Sequence, residues 1–394
     1  MPPCEKLAFA DLHREPFRLF FPAATLAGLC GVSLWIPLLL GWTNDYPGTP
    51  HARVMVQGFL AGFIFGFLGT SLPRLLEVPA LTAREVFPLL AVFAGNVGAQ
   101  LAGATALGDG LFAAELAAWF LVLKGRCHAK RDLPPPSFVL VGLSFGCGLA
   151  GTMLFLAGRR GEFSAELELL AKLLAYHAFV LLCVLGAGGF LLPRFLGLGV
   201  RRKFPASTTP TPDWLQTARV AGGAGLLIVL TYGLEAFGWP RSAVTLRAAL
   251  IVGYLWHELP LEQLRWTWNG VQWLLVSGLV CLPLGVLASG WLPGWRVALA
   301  HIELLSGFGL ITLGVATRVV FGHSGERTQL ERFHSPLTIA AVLLLLALLN
   351  RLTGDLVPST MASHYLYAAL CWLGGTLLWA TRVLPKVLKP DPEE

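Results

Sequence analysis

Three histidines, His51, His177 and His301, stand inside long apolar stretches of this 394-residue sequence. An imidazole is costly to bury in lipid unless it is paired or bound to a ligand, so each is a candidate functional residue. Neutral imidazole is a common ligand of haem iron. Haem b needs no covalent Cys-x-x-Cys-His motif, and none is present, so haem b is a cofactor that these histidines could bind.

Each histidine also has a simpler explanation, which the sequence leaves open. His51 could be a hydrated residue at a membrane interface. His301 could hydrogen-bond to Glu303 or to another helix, and His177 could make a similar structural contact. The residues themselves therefore leave His51, His177 and His301 as candidate haem or metal ligands beside these structural alternatives.

Two arginines add possible partners for haem propionates. Arg53 follows His51 by two residues, and we expect it near the outer surface. Arg318 follows His301 by the same interval that separates His177 from Arg194, and we expect it near the inner interface. Pairing with lipid phosphate is the alternative for both side chains, because long basic side chains extend towards the membrane surface.

The composition shows which elements must position these residues. Hydrophobic residues make up 55% of the chain and charged residues 13%, whereas a soluble domain has about 25% charged residues. This excludes an ordinary soluble enzyme, a disordered chain and a nucleic-acid-binding domain. The sequence predicts an all-α polytopic membrane protein, since the bilayer core requires about 20 apolar residues per helix.

Twelve apolar segments have the length of membrane spans. We expect the third and fourth segments to form a tight helical hairpin in which only Gly108 separates the two helices. All twelve segments belong to one transmembrane domain, 17–384. Segments 1–16 and 385–394 are then the cytoplasmic ends. The predicted spans are 17–42, 51–72, 86–107, 109–124, 136–157, 167–192, 216–239, 243–258, 270–289, 296–321, 335–352 and 361–384.

Charge placement and spacing add two further predictions. Most of the 29 Lys and Arg residues fall in loops on one side, which places that side and both termini in the cytoplasm. The second, sixth and tenth spans carry His51, His177 and His301, four helices apart. This spacing favours three related four-helix units, with chance similarity as the alternative.

Several segments resemble the NnrS family. They are Pro16–Phe21, the segment from His51 to Met55 with the Gly-Phe pairs after it, and the Arg-x-x-x-Gly-His-Ser-Gly run at 318–325. The resemblance implies a bacterial inner-membrane protein with haem and copper, linked to nitric oxide metabolism and nitrosative stress. His51, Met55, Arg318 and His323 are the matching positions, and His323 joins the predicted metal ligands on this ground.

The chain departs from the family pattern after His51. The family has His-Ala-His-Glu-Met there, whereas this chain has Arg53 and Val54 in place of the second histidine and the glutamate. Twelve helices with histidines on the second, sixth and tenth also look like the catalytic subunits of haem-copper oxidases and nitric oxide reductases. By that analogy, His51 and His301 would be haem ligands and His177 would lie near a second metal. A three-histidine copper site cannot be assembled from these spans, so we expect haem more than copper.

Two functions remain in competition. The first is a membrane haem protein that binds or turns over nitric oxide or another small diatomic, with electrons from a membrane or quinone-linked donor. The second is a cofactor-free multi-pass transporter with a site at a broken helix. The first predicts that His51→Ala and His301→Ala lower the haem content and that His334→Ala does not. Whether the protein is an enzyme stays open.

Overall fold

The computed structural model describes residues 9–159, 161, 163–266, 269–326 and 335–390. Regular secondary structure in this part of the chain is helical throughout, without strands. The main helices are Phe17–Leu39 (α1), Gly48–Leu75 (α2), Ala83–Leu101 (α3), Thr105–His128 (α4), Pro136–Gly158 (α5), Ala165–Phe195 (α6), Pro212–Ala236 (α7), Pro240–Glu258 (α8), Gly270–Trp291 (α9), Pro293–Gly322 (α10), Ser335–Leu356 (α11) and Met361–Val383 (α12).

The predicted all-α membrane fold is confirmed, with one helix at each predicted span. Within the described residues, nine of the twelve helices are long and apolar enough to cross a membrane by length and composition. The third and fourth helices form the predicted tight hairpin, but its turn lies at 102–104 and not at Gly108. α3 ends at Leu101, and the turn before α4 uses Gly103 at φ +75°, a conformation that glycine adopts without strain.

The packing of the helices repeats every four helices. Within each group of four, the first helix packs on the second and the third packs on the fourth. The last helix of each group also packs on the first helix of the next, α4 on α5, α8 on α9 and α12 on α1. The three groups therefore close into a ring, in agreement with the predicted four-helix units.

The second helix of each group, α2, α6 or α10, contains a π-helical segment. These segments are Val54–Leu60, Leu173–Ala178 and Ile302–Phe308. Well under 1% of residues in proteins are π-helical, and such segments occur frequently at functional sites. Three π-helical segments at equivalent places indicate a shared plan and mark where each helix departs from regular geometry.

Glycines on the first helices bring the backbones close to these π-helical segments. A Cβ atom at Gly151 of α5 would overlap the backbone nitrogen of Ala175, and one at Gly285 of α9 would overlap that of Glu303. Only glycine fits at such a distance. In the first group, Gly31 of α1 lies against the side chain of Val54. The π-helical segments are thus held by tight helix–helix packing.

Candidate functional site

His51 and His301 come together where the first and third groups of helices meet. His51 lies in the first turns of α2, three residues before its π-helical segment. His301 directly precedes the π-helical segment of α10. His51 lies within electrostatic reach of His301, and Arg351 on α11 lies within reach of both rings. We call His51, His301, Arg351, Asp355, Tyr365 and Trp35 the histidine-pair site.

Hydrogen bonds fix the proton position in both imidazoles. Nδ1 of His51 lies 2.9 Å from the carbonyl oxygen of Gly31, and Nδ1 of His301 lies 2.7 Å from that of Val297. A carbonyl oxygen only accepts, so each Nδ1 donates and each neutral ring keeps a lone pair on Nε2. Neither Nε2 has a hydrogen-bond partner among the described residues. This is the state in which imidazole binds a metal.

Aromatic and charged side chains surround the pair. Trp35 packs its ring edge-on to His51 at 5.7 Å and to Tyr365 at 6.3 Å. The Tyr365 hydroxyl donates to Asp355 over 2.7 Å, and Asp355 also pairs with Arg351. The Arg351 guanidinium lies 4.2 Å from the centre of the Tyr365 ring. Sequence reasoning missed Arg351 and Asp355, although their spacing of four residues on one helix suggested an ion pair.

The histidine-pair site contains groups of the kind that a haem site uses. Its two imidazoles with unpaired Nε2 atoms would hold an iron atom, and Arg351 would offer a positive charge to a propionate. In the part of the chain that the structure describes, no group of three or more His, Cys, Asp or Glu side chains could hold a metal ion. We therefore derive no copper site.

His177 takes part in a different contact, between the second and third groups. Its Nδ1 lies 2.9 Å from Oε2 of Glu303, so it joins α6 to the π-helical segment of α10. The alternative that Glu303 binds His301 is therefore wrong. A carboxylate that accepts from Nδ1 is also a common support for a metal-bound histidine. The predicted role of His177 in metal binding stays a prediction.

Arg53 is buried near the beginning of α2, and its predicted role beside a haem propionate stays a prediction. Its Nε and Nη2 donate to the carboxylate of Asp109 over 2.7 and 2.9 Å, and Nη1 donates to the Tyr176 hydroxyl over 3.3 Å. Gln57 donates to the same carboxylate over 3.0 Å. Because a buried charge needs a partner, Asp109 holds the guanidinium within the helices. Arg53 thereby fixes α2 to α4 and α6.

Arg318 lies far from the histidine pair. It donates to the carbonyl oxygen of Phe195 at the end of α6. It stands on the same helix as His301, about 25 Å further along at 1.5 Å per residue. The structure therefore does not bring Arg318 to a propionate of a haem held by His301. Arg351 is the arginine that lies beside the histidine pair.

His323, at the far end of α10, belongs to a cluster of charges. Its Nδ1 donates to Glu15, and its ring meets the edge of Phe17 at 5.2 Å. Glu15 also accepts from Arg18 and Arg74. We call Glu15, Arg18, Arg74 and His323 the junction cluster. Its carboxylate binds the imidazole, and the predicted role of His323 as a metal ligand stays a prediction.

The junction cluster joins both ends of the chain to α10. Arg18 donates to the carbonyl oxygens of Val387 and Lys389 over 2.6 and 2.7 Å. Burial alone would raise the pKa of Glu15. The hydrogen bond from His323 and the nearby positive charges outweigh this effect and hold the pKa below its ordinary value. The Glu15 carboxylate therefore stays charged in the folded protein at neutral pH.

The fold and the histidine pair define a polytopic α-helical membrane protein with a partly buried imidazole site between related groups of helices. The family model described as NnrS protein matches residues 11–390, nearly the whole chain. The protein belongs to the NnrS family. A search of the curated proteins gives no match.

Proposed function

We propose that this protein is an integral membrane haem protein of the NnrS type that binds nitric oxide or another small diatomic. It would act in denitrification or in defence against nitrosative stress, in the bacterial inner membrane with both termini in the cytoplasm. The observation that carries the proposal is that His51 and His301 belong to one site and that neither Nε2 atom has a hydrogen-bond partner among the described residues. Family membership supports the setting.

Haem b at this site would supply an iron atom that could bind a neutral diatomic when only one of the two imidazoles is bound to it. His51 and His301 would provide the imidazoles, each held in its proton state by a backbone carbonyl. Trp35 and Tyr365 would limit the entry of water, and Arg351 would supply the positive charge for a propionate. Turnover of nitric oxide would also need electrons from a membrane or quinone-linked donor.

An apolar cavity supports the proposal that the ligand is small and neutral. The cavity has a volume of about 70 Å³ and is lined mainly by α2, α6 and α10, among others by Phe67, Leu191 and Val315. Apolar cavities of this kind take up small apolar molecules more readily than water. Nitric oxide dissolves in such surroundings, so the protein interior would not exclude it.

Absorbance of the purified full chain tests this proposal. We expect a Soret band that shifts on reduction and again with nitric oxide. His51→Ala and His301→Ala should each lower the haem content per folded protein by about tenfold or more, because each removes an imidazole that would hold the haem. The control is His128→Ala. His128 also donates from Nδ1 to the carbonyl four residues earlier, but at the exposed end of α4.

Two results would contradict the proposal. Equal haem content in all of these proteins would reject the ligand assignment. A folded protein that stays colourless when it is expressed with added haem precursor would favour the cofactor-free transporter. His334, the control that the sequence suggested, lies outside the described residues, so His128 replaces it.

A further inference from the structure

A second cavity lies at the opposite end of the helices from the histidine pair. Its volume is about 360 Å³, within the range of small-molecule sites. The end of α6, the end of α8 and the beginnings of α5 and α7 surround it, together with the two loops 129–135 and 196–211. It therefore lies where the spans emerge at the membrane surface.

The charged residues of the cavity wall are mainly basic. Four cationic side chains line it, and the two acidic residues in the wall are Asp132 and Glu258. The cations are Arg194, Arg201, Arg202 and Lys203. Both acidic side chains are already engaged. Oδ1 of Asp132 accepts from the backbone of Leu133 and Ser207, and Glu258 lies 3.0 Å from Nδ1 of His257. The wall thus carries a positive excess.

Three of these cations have no carboxylate partner within the described residues. Arg194 donates to the carbonyl of Phe190 and stacks on its ring. Arg202 donates to Thr217 over 3.2 Å and to Nε2 of His257 over 2.9 Å. Lys203 is exposed and has no hydrogen bond or ion pair in the same part of the chain. An anion would satisfy these charges.

A long helix also begins at the cavity. α7 has 25 residues, and Thr211 accepts from the backbone of Trp214 in its first turn. The partial positive charge of this first turn is offset by Asp213 there, so the side-chain cations carry the charge of the site. The indole of Trp214 is held by the carbonyl of Pro134 at 3.0 Å. The wall therefore combines fixed apolar surfaces with side-chain cations.

We propose that this cavity binds the phosphate group of an anionic molecule, either a lipid headgroup or a free phosphorylated compound. Phosphate suits the site because arginine forks and lysine bind its oxygens through charge-assisted hydrogen bonds. The volume leaves room for a small group attached to the phosphate. Basic pockets between helices at the membrane surface also recognise lipid headgroups. This inference does not depend on haem binding.

The test compares two probes on the full-length protein. One is phosphatidylglycerol in otherwise zwitterionic nanodiscs, and the other is pyrophosphate added to protein in neutral detergent. The measurement is the rise in unfolding temperature with probe concentration, which gives an apparent affinity. The double variant Arg202→Gln with Lys203→Gln should weaken this affinity about thirtyfold, at about 1 kcal/mol for each cation near the surface.

Lys124→Gln with Arg219→Gln is the matched control. It removes the same charge from exposed positions outside the cavity, and its affinity should stay within about twofold of the wild type. The single change Lys203→Glu provides a second test if the double variant folds poorly, because Lys203 makes no contact that the fold needs. It should weaken binding more than the control does.

Each outcome decides the proposal. Stabilisation by phosphatidylglycerol but not by pyrophosphate, lost in the cavity variants, supports the lipid headgroup. Stabilisation by pyrophosphate in detergent, lost in the same variants, supports a free phosphorylated compound. No stabilisation by either probe, or equal stabilisation of the wild type and both cavity variants, overturns the site.

Discussion

The histidine-pair site and the junction cluster contain the same kinds of side chain, arranged to different ends. Each combines imidazole, arginine and carboxylate. At the histidine pair, the imidazoles donate to backbone carbonyls, and the carboxylate of Asp355 binds Arg351 and Tyr365. In the junction cluster, the imidazole donates to the carboxylate of Glu15. Residue type alone therefore does not separate a binding site from a structural one.

The two regions differ in how deeply their side chains are buried and in whether every polar atom has a hydrogen-bond partner. In the junction cluster, the side chains of Arg18 and Glu15 are 1% and 5% exposed, and they are saturated with partners from several segments. Such a closed network holds the fold together. At the histidine pair, two ring nitrogens stay unpaired among the described residues. The comparison therefore predicts that changes at the junction affect stability and changes at the pair affect ligand binding.

The largest stability effect is expected from Arg18→Met. Removing one partner of a buried ion pair costs about 3–5 kcal/mol, because the remaining charge and the two carbonyl oxygens lose their donor. The free energy of unfolding, measured in denaturant, should fall by that amount. The haem content per folded protein should not change, since Arg18 lies far from the histidine pair.

Arg84→Met is the control for this change. Arg84 is exposed at the beginning of α3, and its replacement should alter stability by less than about 0.5 kcal/mol. A fall of haem content in the Arg18 variant, with stability unchanged, would reverse the roles given to the two regions.

Acid should next weaken the junction cluster and a second carboxylate, Glu326, which pairs with Lys386 and Lys389. Burial acts to raise the pKa of Glu326, but the two lysines hold it below its ordinary value, as the cations of the junction cluster do for Glu15. A lowered folded-state pKa stabilises the protein above the unfolded value of 4.5. This stability is lost as pH falls through the folded-state value. A folded-state pKa that lies one pH unit below the unfolded value contributes about 1.4 kcal/mol to the free energy of unfolding at neutral pH.

The measurement is the unfolding temperature from neutral pH to below 4.5. The wild type should lose stability across that interval. Glu15→Gln should begin less stable at neutral pH and lose less on acidification, because the titrating group is gone. A Glu15→Gln protein that loses as much stability as the wild type would show that Glu15 contributes nothing to the acid response.

The sequence predicted the helices better than the contacts between them. Apolar runs determine where helices form, so one helix appears at each of the twelve predicted spans. The partners of polar side chains depend on packing between distant segments. Arg53 pairs with Asp109 on α4, and His177 pairs with Glu303 on α10. The useful signal was the presence of acidic residues inside apolar spans, since each needs a partner there.

The π-helical segments were beyond the reach of the sequence for a related reason. A π-helical turn inserts one residue into a helix, and no residue type requires it. Here the insertions occur where Gly151 and Gly285 allow the backbones to approach. The place of His301, directly before one insertion, follows from this packing and could not be read from the spacing of histidines.

The smallest expected effect, and the sharpest one for the histidine pair, is that of Arg351→Gln. Its side chain is 15% exposed and already paired with Asp355, so its net contribution to an anionic ligand group is about 1 kcal/mol. The affinity for haem should therefore fall about fivefold, while both imidazoles remain. The measurement is haem transfer from the protein to an excess of a soluble haem acceptor. Arg318→Gln is the matched control, because Arg318 binds the carbonyl of Phe195 far along α10. If Arg318→Gln lowered haem affinity and Arg351→Gln did not, the haem would lie towards the junction end, and the histidine pair would lose its assigned role.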